Sequence, residues 1–161
     1  MRPRMRPLPH RFALRISALA LLAVAPAACR SKAARVAGTY AGTGGGSVTV
    51  VNPATDLMNA SQQTFAAPLV VEAAGDARIL LRSGECELRA ALAGEGAATI
   101  EPGQSCTITV EGLGPVAVGP VGGSVTFAGD QLTLSWGAQH RHPDGRIVQV
   151  QRSFQGLRGA R

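Results

Sequence analysis

Cys86-Glu87-Leu88-Arg89-Ala90-Ala91-Leu92 sets Cys86, Leu88, Ala90 and Leu92 on one parity and Glu87, Arg89 and Ala91 on the other. Side chains of an extended chain point alternately to opposite faces, so this order specifies a strand with one buried and one wet face. The same pattern recurs outward from this stretch. Cys106, Ile108 and Val110 alternate with Thr107, Thr109 and Glu111; Val125 and Phe127 alternate with Ser124 and Thr126. Leu132, Leu134 and Trp136 alternate with Gln131, Thr133 and Ser135, and Val148, Val150 and Phe154 share a face that Arg152 interrupts. Turn signals separate these runs: Gly44-Gly45-Gly46, Gly94-Glu95-Gly96, Pro102-Gly103, Gly122-Gly123, Gly129-Asp130 and Asp144-Gly145. No segment past residue 38 carries a 3.6-residue period. Many short strands with frequent turns specify an all-β fold, a small antiparallel β-barrel or sandwich. Outward positions are mainly Thr, Ser, Gln and Glu, which argues against a transmembrane barrel, whose outer face must be apolar.

With 161 residues the chain has room for one ordinary domain. All 20 glycines lie at or after Gly38, which divides a glycine-free leader from the β domain, residues 37–161. The formal net charge of +6 suggests a nucleic-acid or membrane-surface binder. However, eight of the 16 basic residues precede Gly38 and none of the ten acidic ones does, so the body holds eight basic against ten acidic residues. The body carries no basic run, and with aromatic content at 4% it offers no stacking platform, so no nucleic-acid partner is expected.

The leader has the order of an export signal. Arginines at positions 2, 4, 6, 11 and 15 precede an apolar run, Ile16 to Ala25, then Pro26-Ala27-Ala28-Cys29. The run is too short to span a bilayer core, which needs about 20 residues. Residues 1–28 are therefore expected to be a signal peptide. Ala25 to Cys29, small residues ending in cysteine, resembles the lipobox of bacterial lipoproteins, with Pro26 where leucine is most often found. The resemblance implies that Cys29 becomes the lipidated first residue, that residues 29–36 form a tether, and that the domain is held at an envelope membrane. Ordinary cleavage after Ala27 or Ala28 is the alternative. In either case Cys86 and Cys106 remain as a pair in an oxidising compartment, where a disulfide is expected. A hairpin turning at Gly94-Glu95-Gly96 would set them opposite one another; if Pro102-Gly103 adds a turn, Ala97 to Ile100 becomes a strand of its own. Farther on, Gly38-Thr39-Tyr40 is similar to the Gly-x-Trp opening of calycin barrels, which implies a barrel able to carry a small molecule.

Candidate chemistry is sparse. His140, His142 and Asp144 fall together in Gln139-His140-Arg141-His142-Pro143-Asp144-Gly145 and supply metal-ligating atoms. Pro143-Asp144-Gly145 reads as an exposed turn, and no further histidine lies in the body, so no metal and no other cofactor is expected. Glu85 and Glu87 flank Cys86 on the solvent parity, where a catalytic carboxylate pair is not expected. Gly42 to Gly46 lacks the Gly-Lys-Ser/Thr of a phosphate loop and runs into a strand. No enzymatic activity is expected. The readings that remain are an envelope lipoprotein that binds a partner or has a structural role, a small-molecule carrier, and a β-barrel protease inhibitor.

Overall fold

The structure, a computed structural model, describes residues 31–65, 68–84, 86–94 and 96–159. The leader, Cys29 and Glu85 lie outside the described residues. The described chain begins with a short helix α1 (Lys32–Val36) and continues through β1 (Gly38–Asn52), β2 (Leu57–Phe65), β3 (Leu69–Ala73), β4 (Arg78–Ser83), β5 (Cys86–Leu92) and β6 (Ala97–Ile100). It ends with β7 (Cys106–Val110), β8 (Gly114–Val118), β9 (Gly122–Ala128), β10 (Gln131–Arg141) and β11 (Ile147–Arg158).

Eight strands close into an antiparallel barrel in the order β1-β3-β4-β5-β6-β9-β10-β11, with β11 returning to β1 from Tyr40↔Arg158 to Val51↔Ile147. Closure decides for barrel over sandwich. The alternation sends one parity of each strand inward: Tyr40, Ile79, Ala90, Val125, Leu132 and Val148 are fully buried in one apolar cluster. Burying such side chains stabilises by about 1.5–3 kcal/mol each before entropy is subtracted, so the filled interior holds the ring together.

β1, β10 and β11 run past one mouth of the barrel, and β2 adds to β1 there, so four strands form an extension beyond the ring. Gly44-Gly45-Gly46 and Gly122-Gly123, expected as turns, lie inside β1 and β9. The physical reason is backbone proximity: a Cβ at Gly46 would collide with the Gln151 carbonyl oxygen, and one at Gly123 with that of Ser135. The turn between β1 and β2 falls instead at residues 53–56, where Asp56 has φ 53° and Asn52 Oδ1 accepts from the Ala54 amide at 3.1 Å.

Each mouth is covered differently. At the mouth where β1 begins, the segment expected as a tether folds from Lys32 onward into α1. Ser31 caps it by accepting from the Ala34 amide at 3.1 Å, and Ala33 and Val36 bury against the barrel. The Ala33 amide donates to the Asp76 carbonyl at 3.1 Å, and the interior Tyr40 hydroxyl donates to the Val36 carbonyl at 2.7 Å. At the opposite mouth, the hairpin β7–β8 packs Ile108, Val110, Val116 and Val118 onto the barrel. Cys86 and Cys106 form the disulfide, with Cα atoms 5.1 Å apart. The Pro102-Gly103 turn makes β6 a separate strand, and β7 pairs with β8 rather than joining the barrel. The bridge therefore joins the ring to its covering hairpin, not two strands of one sheet.

Candidate functional site

Beneath that hairpin lies a cleft of about 570 Å³. Its floor is a single cross-strand row on the inner face of the extension. Trp136 on β10 pairs with Arg152 on β11, Arg152 with Gly46 on β1, and Gly46 with Gln63 on β2. The missing side chain at Gly46 is what lets the row function: a Cβ there would stand 2.9 Å from the Arg152 Cδ. Across this gap the Arg152 Nη2 donates to Gln63 Oε1 at 2.6 Å. Opposite stand Ile108 and the Cys86–Cys106 bridge, with Ser83 and Gly84 from the β4–β5 turn at one side and exposed Glu111 at the rim.

Arg152 occupies an inward position of its strand, between buried Val150 and Phe154. Burial disfavours its charged form and lowers its pKa from the ordinary value, although a guanidinium keeps its proton in such sites. The cleft thus combines a half-buried cation, an amide, one aromatic ring and an apolar wall. In the sequence Arg152 stands out as an interruption of its face and carries no assigned role. The interruption was itself the signal, since an arginine on the buried parity of a strand must face something polar or open. Gln63 carried no such mark, because its place depends on β2 folding back along β1.

A second groove, about 590 Å³, lies on the outer face of β1, β10 and β11 and is lined by Thr43, Thr133, Ser135, Ser153 and Gln155 among others, with no charged group or aromatic ring. Both clefts lie outside the packed barrel interior. The barrel interior itself is packed with Tyr40, Phe127, Leu132 and their neighbours.

The remaining sequence candidates sit elsewhere. His140 belongs to the end of β10, not to the loop, whereas His142 and Asp144 lie in the β10–β11 turn. His142 Nδ1 lies 2.9 Å from Asp144 Oδ1, and Arg146 Nε donates to Asp144 Oδ2 at 2.7 Å. Arg146, through its side chain and its backbone amide, holds the Asp144 carboxyl well below the usual range. This carboxylate is occupied by its neighbours, and among the described residues no three His, Cys, Asp or Glu side chains form a metal-binding group. Glu87 accepts from Arg82 Nε at 2.9 Å, while the same guanidinium reaches Glu72 at 3.0 Å. No protein-family model, curated protein or solved structure matches the chain.

Proposed function

We propose that this chain is a non-enzymatic lipoprotein of the cell envelope, exported by residues 1–28 and anchored to a membrane through lipid on Cys29. Its barrel serves as a rigid mount for a binding cleft. The observation that carries this reading is the polarity of the molecule. The helix that begins three residues after Cys29 docks at one mouth, and the cleft opens beyond the other. The three residue steps from Cys29 to Lys32 can span at most about 11 Å, which would keep the helical mouth close to the lipid surface and turn the cleft away from it. Lys32 and Arg35 on exposed positions of α1 suit anionic headgroups. The cleft is suited to holding a ligand group rather than transferring a proton, because neither guanidinium nor amide exchanges protons near neutrality.

Mass spectrometry of the processed N-terminus tests the anchor. The expected result is an acylated Cys29 in the membrane fraction. An unmodified terminus at Ala28, Cys29 or Arg30 in a soluble fraction overturns it.

A further inference from the structure

The whole of β2, Leu57 to Phe65, holds no charged residue, no proline and no glycine. Among the described residues it pairs on one side only, with β1, so its far side is a row of backbone donors and acceptors left to solvent. Residues 57–62 and Thr64 are exposed, and Leu57 and Met58 are two of the three large apolar side chains exposed on the described surface. Proteins guard such edges with charge, proline or shortness, and this one does so elsewhere. β10 past Gly137 leaves four open residues, Arg141 among them, and β8 carries Pro115. The edge of β2 has none of these guards. We propose that β2 pairs edge to edge with β2 of a second copy of this chain, antiparallel about a twofold axis at Ser61. The inference goes beyond the anchor and the cleft and depends on neither. Composition selects the occupant. Centred on Ser61, the pairing sets Met58 opposite Thr64, Asn59 opposite Gln63, Ala60 opposite Gln62 and Ser61 opposite itself, so no like charges meet and no charge loses its water. A foreign strand would need the same neutral pattern, which the chain itself supplies. A nine-residue antiparallel ladder adds about eight to ten hydrogen bonds, close to the roughly ten of a typical stable interface. The twofold axis uses the edge up, so assembly stops at two. Antiparallel pairing points the α1 ends of the two copies apart, so copies anchored there would meet from facing surfaces.

Sedimentation of the full chain over a range of concentrations tests the pairing. The expected result is a rise from the mass of one chain to that of two, and no further. Ala60 and Gln62 are exposed, and their partners on β1, Thr49 and Ser47, are neutral. Ala60→Lys with Gln62→Lys therefore sets like charges across the twofold axis and should weaken pairing at least about tenfold. Ala60→Glu with Gln62→Glu should do the same, and mixing the two variants should restore the mass of two chains. A single chain at every concentration, growth past two, or pairing that the lysine variant leaves unchanged overturns the proposal. So does a mixture that fails to pair. If either variant does not fold, amide exchange in the unsubstituted chain decides. Alternate β2 amides should then slow as concentration rises, and exchange that is independent of concentration overturns the proposal.

Discussion

Arg158 joins three parts of the molecule. Its Nε and Nη2 bond Asp130 Oδ1 at 2.9 and 2.6 Å, its Nη1 donates to the Arg35 carbonyl at 2.5 Å, and its guanidinium stands 6.0 Å from the centre of the Tyr40 ring. The side chain is only 15% exposed. Removing it leaves the C-terminal end of α1 and Asp130 without these donors, so Arg158→Ala is expected to lower unfolding stability by about 1–3 kcal/mol, read as the midpoint of urea unfolding. A loss within error would show that the clasp is incidental. Asp144 makes a different prediction. A carboxyl held below its ordinary value in the folded chain contributes stability that is complete well above the unfolded value, about 3.9, and is lost progressively as pH falls from there through the depressed one. NMR titration should find its carboxyl still ionised where ordinary aspartates are half protonated, and Arg146→Ala should move it back toward them. An ordinary titration in the unsubstituted chain would refute the assignment.

β9 holds a paired test at the level of the strand. Gly122 has nothing within 4 Å of a would-be Cβ, whereas one on Gly123 would press into the Ser135 carbonyl and stand 2.7 Å from the Trp136 Cα. Gly123→Ala is expected to destabilise by about 1–3 kcal/mol through overpacking, and Gly122→Ala to change stability by less than about 0.5 kcal/mol. Equal effects in thermal unfolding would contradict the close approach. These two glycines also mark the limit of what the sequence discloses. Period-two alternation made β5, β7, β9, β10 and the core legible, because inward parity is a local property of each strand. Glycine clusters were ambiguous, since the same residue permits a turn and permits a neighbouring backbone to come near. Nothing local distinguishes the two. In the same way α1 is too short for a 3.6-residue period to emerge, and its stability derives from Tyr40, four residues past its end, and from Asp76 and Arg158, both distant in sequence. The cleft was half legible: Arg152 stood out on its face, but its row with Gly46 and Gln63 exists only once four strands are side by side.

For the whole molecule, the disulfide holds a cover to a ring. Closing a loop of 20 residues stabilises by about 3 kcal/mol. The double substitution Cys86→Ala and Cys106→Ala should remove about that much and should speed amide exchange in β7–β8 more than in the β1–β11 pair. Uniform acceleration across the barrel would mean that hairpin and ring open together. The pairing of β1 with β11 has a kinetic consequence as well. Ser153 donates to the Gly45 carbonyl across 108 residues of sequence, so the ring is sealed by its earliest and latest strands. Contacts that distant are slow to form, and strand pairings of this range place folding in milliseconds to seconds rather than microseconds. Until β11 arrives, β1 and β10 keep open edges and the interior stays wet. Under the export proposed above, with the chain crossing as an unfolded thread, the architecture would act as a delay: nothing could lock shut, and nothing could jam in transit, before the tail had crossed.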